Sequence, residues 1–269
     1  PLPFRAHFIP KTSPGKWRRI SIPAVRDRIV QQCTNSILQR NFDRLFAPCS
    51  YAYRPGRSIR DAIAAVRNGL NAGFLWAVRG DIRGCFDEID RDVLSVLLKK
   101  IISDAPFLSV LNKTIRAPVI SKGFLQNPAR GIPQGSPVSP FLSNLYLHQL
   151  DCALLSKGYF LIRFADDWVI LARDYRSSCD ALKTAINTLT LLNIGLNREK
   201  SGIFDLGKNS IEFLGHTISR NAIQADGKGW RRAVSSAESL HSAQNREEYL
   251  RARGSLLGIQ AMYRNTGPL

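Results

Sequence analysis

Two adjacent carboxylates interrupt one of the most apolar stretches of the chain: in LIRFADDWVILA, residues 161–172, Asp166 and Asp167 sit between two apolar runs. Short apolar runs bounded by turn formers read as strands, so this segment is expected to fold as a buried β-hairpin with acid at its tip. Two carboxylates about 4 Å apart repel by roughly 1 kcal/mol in water and about 4 kcal/mol at the effective dielectric of a protein surface. A fold that forces them together needs positive charge nearby, and a divalent metal is the obvious candidate. The alternative is a solvated turn, because Asp is a common turn former and a solvated pair needs no metal.

A second carboxylate in a matching setting weighs against that alternative. FLWAVRGDIRGCFDEID, residues 74–90, reads as an apolar strand ending in Asp81, a break at Gly84 and then a helix over 91–102. An Asp on a strand end and an Asp pair on a hairpin tip can converge from adjacent strands. That is the arrangement of two-metal phosphoryl chemistry, in which ions about 3.5–4 Å apart clamp the attacking and leaving oxygens.

Composition narrows the class. The 269 residues suffice for one large core or a tightly joined two-part body. A formal charge of +17 implies a polyanionic partner or a strongly anionic surface, although a basic face that binds nothing specific stays open. Cys33, Cys49, Cys85, Cys152 and Cys179 form no CxxC pair, and the four histidines form no HxxxH cluster, so zinc sites and disulfide frameworks are not expected. An odd thiol count without a signal sequence points to a reducing, cytoplasmic compartment. No apolar run reaches the roughly 18–20 residues of a membrane span, so no membrane partner is expected. The chain begins at Pro1 and its single methionine is Met262. It is therefore expected to be a processed product or, preferably, an excised piece of something longer.

Helical periodicity is clearest over 26–42, 59–70, 137–155 and 178–192, and strands fit 18–22, 74–82, 159–164, 168–172 and 211–218. Linkers are expected at 13–15, over 117–129 and from Asp226 through DGKGW. This alternation, with antiparallel hairpins among the strands, predicts an α+β fold rather than a doubly wound parallel sheet.

Seven blocks in order carry a family likeness. IPKTSPGKWRRISIPAVRDRIVQQ and SYAYRPGRSIRDAI resemble the finger segments of reverse transcriptases, and RGDIRGCFDEID, GIPQGSPVSPFLSNLYL, RFADDWVILA, GLNREKSGI and EFLGHTIS resemble their palm motifs. The wording is closest to the group II intron and group II-like bacterial branch, and the likeness runs from Phe8 to Ile218. It implies a right-hand polymerase fold: fingers over 1–72, and a palm with an antiparallel sheet over 73–225 that carries a finger segment around 103–133. The palm end and the start of a helical thumb would follow over 226–269.

The resemblance also implies a function: RNA-directed DNA polymerisation, adding dNTPs to a primer 3′-hydroxyl by two-metal-ion nucleotidyl transfer, in part of a longer retroelement or CRISPR-associated protein. It implies two Mg²⁺ ions, with Mn²⁺ as a substitute, held by Asp81, Asp166, Asp167 and the carbonyl of Ile82. Hard oxygen ligands suit that metal, and substrate phosphates complete its octahedron. The implied partners are an RNA template, a DNA or RNA primer, dNTPs, and fused or associated domains outside this chain.

Other roles follow from matching positions. Phe86, five residues past Asp81, lies where the family carries the aromatic that closes on the sugar of the incoming nucleotide, and a ring there clashes with a 2′-hydroxyl; otherwise it is a core residue at a helix start. Lys11 and Arg18 match finger positions that grip the triphosphate, a task suited to a point charge plus a bidentate fork. Gln134 and Gly135 match positions beside the template base and the incoming nucleotide. On local chemistry GIPQGSP also reads as a helix start, with Ser136 as N-cap and Pro137 first in the helix. Arg54 and Arg57 resemble residues near the template strand, where isolated basic residues are otherwise solvated or salt-bridged. Lys200 resembles the palm lysine that gives a proton to departing pyrophosphate, or is a surface lysine after a helix. The hairpin reads FADD where YADD is commoner, which keeps the ring and drops a hydroxyl. A catalytically silent RNA-binding or maturase scaffold is the competing reading; a lost carboxylate would favour it, and none is lost.

Overall fold

Short apolar strands cannot bury both faces alone, and this chain resolves the problem by stacking helices on one side of a central sheet and a helix with a second sheet on the other. The computed structural model describes residues 1–10, 15, 17–242, 245–263 and 267–268. In chain order the elements are β1 (Phe4–Pro10), β2 (Trp17–Ile22), α1 (Val25–Phe42), α2 (Ile59–Asn71), β3 (Trp76–Asp81), α3 (Cys85–Glu88), α4 (Arg91–Ile101) and α5 (Ala105–Ile115). Then come β4 (Val119–Ser121), β5 (Phe124–Gln126), α6 (Ser139–Leu155), β6 (Phe160–Phe164), β7 (Asp167–Ala172), α7 (Tyr175–Leu191) and β8 (Gly202–Asp205). The chain closes with β9 (Ile211–Phe213), β10 (His216–Ile218), β11 (Ala222–Ala225), α8 (Gly227–His241), α9 (Arg246–Tyr263) and β12 (Gly267–Pro268).

The strands form three sheets, ordered β2-β1-β4-β5, β6-β7-β3-β8 and β12-β11-β10-β9. β1 and β4 run parallel, whereas the β6-β7-β3-β8 sheet is antiparallel throughout, as the α+β expectation requires. Its two faces separate the core. Val78, Leu161, Trp168 and Ile170 pack with Leu142, Tyr146, Ala181 and Ala185 of α6 and α7. Ala77, Ile162, Val169 and Leu171 pack with Ile63 and Val66 of α2 and with Ile211, Phe213 and Ile218 of the third sheet. Polar residues set the helix starts: a reciprocal Ser58/Asp61 capping box opens α2, and the Asp90 and Asp174 side chains accept from the first-turn N–H groups of α4 and α7.

Four local expectations are corrected. Residues 211–218 are two strands, because Leu214 and Gly215 take positive φ, 51° and 78°, and turn the chain between them. The 117–129 linker contains the β4–β5 hairpin, closed at Lys122 and Gly123. DGKGW is no linker, since α8 begins at Gly227. Helix α6 begins at Ser139 with Pro140 in its first turn, and the Ser136 hydroxyl donates to Gln31 Oε1 at 2.8 Å instead of capping. Of the turn expected at 13–15, Gly15 lies among the described residues. No helix among the described residues is long and apolar enough to cross a membrane.

Candidate active site

β3 and β7 are paired so that Asp81, the last residue of one, stands opposite Asp167, the first of the other. Asp166 occupies the preceding turn, which begins with Ala165 at φ 58°, a left-handed conformation that costs a non-glycine residue on the order of 1 kcal/mol or more and collects at functional sites. Ile82 donates its N–H to the Asp166 carbonyl at 3.2 Å, fixing the turn to the end of β3. The two carboxylates of Asp81 and Asp166 line a cleft of about 1070 Å³ together with Ile82, Arg18, Phe86, Gln134 and Lys200. Asp167 is not among the lining residues; its carboxylate lies 3.9 Å from the Arg79 guanidinium.

Charge in the site is poorly compensated. Burial pushes the Asp166 carboxyl up, with Asp81 adding to the rise and Arg18 and Lys200 opposing it. Burial likewise raises Asp167, to about 7, helped by Asp81 and Asp166 and opposed chiefly by Arg79. Asp167 Oδ1 and Arg79 Nε are buried without a hydrogen-bond partner among the described residues. No group of three or more His, Cys, Asp or Glu side chains among the described residues is gathered tightly enough to hold a metal alone. A pair of carboxylates on an open cleft, with an orphaned carboxylate oxygen behind it, fits a hard divalent ion that draws its other ligands from phosphates and water. It does not fit a self-sufficient structural metal.

The remaining sequence candidates divide. Lys200 Nζ stands 3.5 Å from Asp81 Oδ2. Phe86, in the short helix α3, lines the cleft and also packs on the core. Gln134 and Gly135 are seated against β2: Ser21 donates its N–H to the Gln134 carbonyl at 2.6 Å. A Cβ on Gly135, whose φ is 119°, would lie 2.7 Å from the Ser21 carbonyl oxygen, so only glycine fits. Arg57 is half-buried, donating to the Pro48 carbonyl with its guanidinium over the Tyr51 ring. Lys11 lies outside the described residues.

Arg54 is corrected. Its five N–H donors go to both oxygens of the Asp43 side chain and to the carbonyls of Asp43, Ala47 and Ser50. A guanidinium so committed has no donor left for a template phosphate; it holds the 43–54 loop together.

Several site residues escaped the sequence reading. Asn197 Nδ2 donates to Asp81 Oδ2 at 3.1 Å, and the Ser201 hydroxyl accepts from the Asp81 N–H. Both flank Lys200 in NREKS, so the polar cluster was the available signal. Arg79 stood in plain view as a charge within the apolar strand WAVRGD. Arg163, the arginine of LIRF, and Asp151, the acid of LHQLDCALL, are each wholly buried and ion-paired at 2.6 Å.

Comparisons with known proteins bear on the family and the fold. A family profile described as "Reverse transcriptase (RNA-dependent DNA polymerase)" matches residues 9–218. Protein YkfC of Escherichia coli is 30% identical over 259 residues, which cover 82% of this chain and 68% of that protein. The group II intron-encoded protein LtrA of Lactococcus lactis is 34% identical over 151 residues, 56% of this chain and 25% of LtrA. Among solved structures, telomerase from Candida albicans, bound to a fragment of telomeric RNA, superposes with a TM-score of 0.64 at 14% identity. That match covers 96% of this chain and 53% of the telomerase chain, so this chain spans about half of the solved relative.

Proposed function

The chain belongs to the reverse transcriptase family, and we propose that it is an RNA-directed DNA polymerase adding dNTPs to a primer 3′-hydroxyl in the cleft between β2, β3 and the β6–β7 turn. The observation that carries this reading is the meeting of Asp81 and Asp166 in one cleft with Arg18 and Lys200. Two Mg²⁺ ions held by these carboxylates, with Mn²⁺ as a substitute, would activate the primer hydroxyl and carry the charge of the triphosphate. Arg18, and Lys11 beyond the described residues, bind the triphosphate. Phe86 excludes a 2′-hydroxyl. Gln134 and Gly135 line up the base pair being formed. Lys200, held near Asp81, keeps a proton ready for the pyrophosphate oxygen. Asp167 adds negative charge behind the pair, the Ile82 carbonyl adds an oxygen ligand, and Arg57 meets the template backbone.

In this reading residues 1–72 are fingers, 73–225 palm with a finger segment around 103–133, and 226–269 the palm end and beginning of the thumb. RNA template, DNA or RNA primer and dNTPs are the partners, in a cytoplasmic setting and within a longer retroelement or CRISPR-associated protein. The net charge of +17 supports polyanion binding that weakens steeply with salt.

Primer extension on an RNA template with Mg²⁺ and dNTPs tests the proposal, run beside Asp166→Ala. Extension by the parent and none by the variant is the expected result. A folded parent that binds RNA with a steep salt dependence and extends nothing, even with the flanking sequence of a longer homologue restored, leaves the RNA-binding maturase reading, which likeness to intron-encoded proteins supports.

A further inference from the structure

Arg163 has all five of its guanidinium N–H donors engaged, and nothing in the chemistry above uses it. It lies on β6 with no exposed surface. Its Nε and Nη2 donate to the two oxygens of Asp151, each at 2.6 Å. Nη1 donates to Asn144 Oδ1 and to the Ala165 carbonyl, both at 3.0 Å, and Nη2 also to the Ser50 hydroxyl at 2.8 Å. The backbone is fastened too: Arg163 N–H donates to the Cys49 carbonyl, and Tyr51 N–H donates to the Arg163 carbonyl.

Stability does not account for this expense. Taking two charges out of water costs about what their attraction returns, and well-packed apolar residues commonly replace such pairs without loss. The contact that distinguishes this pair is the one to Ala165. That carbonyl oxygen belongs to the peptide unit whose nitrogen is Asp166's, and the unit is planar. Fixing the oxygen therefore fixes the plane from which the Asp166 side chain departs. It does so where Ala165 is held at φ 58°, a conformation that persists only when its surroundings over-determine it. We propose that Arg163, oriented by Asp151, is a positioning residue that aims the Asp166 carboxylate into the cleft through the Ala165 carbonyl. The inference rests on the reading of Asp166 as a metal-holding carboxylate.

Arg163→Lys keeps the charge and loses the planar fork. The double substitution Arg163→Met with Asp151→Leu removes both charges, and with them the hold on Ala165, without stranding either partner. Ser50→Ala takes one bond from the same guanidinium and leaves the Ala165 contact intact. Three measurements follow on each chain: thermal unfolding, Mn²⁺ affinity by electron paramagnetic resonance, and kcat and KM in primer extension. Folded Lys and Met/Leu variants are expected to lose about 10- to 100-fold in Mn²⁺ affinity and in kcat, as supports of metal ligands do, with KM for primer–template unchanged and Ser50→Ala like wild type. If one variant fails to fold, the other decides.

Folded variants with wild-type Mn²⁺ affinity and kcat would overturn the inference, as would a wild-type chain that binds no Mn²⁺ at millimolar concentration. If the wild type extends no primer yet Mn²⁺ affinity still falls in a folded variant, the polymerase reading fails and the positioning role stands.

Discussion

Gly80 faces Trp168 across the β3–β7 pair so closely that a Cβ on Gly80 would lie 2.0 Å from the indole. The ring, wholly buried, fills the space beside the residue that precedes Asp81, so packing and the placement of the carboxylate are settled at one point. Gly80→Ala must push the indole or part the strands. Overpacking of this kind costs about 1–3 kcal/mol. Thermal unfolding should show the loss, and polymerisation should fall further than stability does, because the Asp81–Asp167 register lies next along the strand.

Asp166→Ala removes half of the carboxylate pair. Extension is expected to drop by about 10³-fold or more, equivalent to about 4 kcal/mol of barrier, while the melting temperature stays level or rises, since a buried like charge has gone. Single-turnover extension beside a melting curve checks both halves.

Phe86→Ala opens the cleft where the sugar edge is expected. Selection of dNTP over rNTP should fall by about 10–100-fold, measured as the ratio of kcat/KM for the two substrates. Because the ring also packs on the core, some stability goes with it.

The raised Asp167 carboxyl gives the metal-free chain a pH signature. Folded, it holds its proton to about pH 7, whereas its ordinary value is 3.8. The folded state therefore binds more protons between those values. The stability this carboxyl contributes is therefore greatest below about pH 4, falls as pH rises from about 4 to 7, and levels off above. Urea denaturation in EDTA should trace this decline, and Asp167→Asn should flatten it and be the more stable chain at pH 8.

Arg54 and Arg57, three residues apart, should part company. Arg54→Ala strands Asp43 and three carbonyls, so a loss of about 2–4 kcal/mol is expected in denaturation, with the salt slope of RNA binding unchanged. Arg57→Ala should leave the fold intact and lower that slope by about 1.

The sequence reading located what is local. A DD between apolar runs is a hairpin tip, and an Asp at the end of WAVRGD is a strand end, because both signals lie within a dozen residues. What stayed hidden depends on distant partners: Asp81 with Asn197, 116 positions apart, or Arg163 with Ser50, 113 apart. The partners of Arg54 were hidden for the same reason, since nothing in YRPGRS says that five acceptors wait in the preceding loop. The split of 211–218 turned on Leu214 accepting a left-handed φ, which a β-rich composition conceals.

The seat of Gln134 and Gly135 on Ser21 has a mechanical corollary. β2 is bound there at the cleft by a 2.6 Å hydrogen bond and by a contact that admits no extra atom, while its other end runs out through Arg18 to the exposed Trp17. Ser21 therefore ties the inner end of the β1–β2 ribbon to the turn at Gln134 and Gly135, and a side chain placed at Gly135 would have to displace both together. In the proposed reading, the strand that carries Arg18 and the turn that carries Gln134 and Gly135 are thereby joined at one point, Ser21.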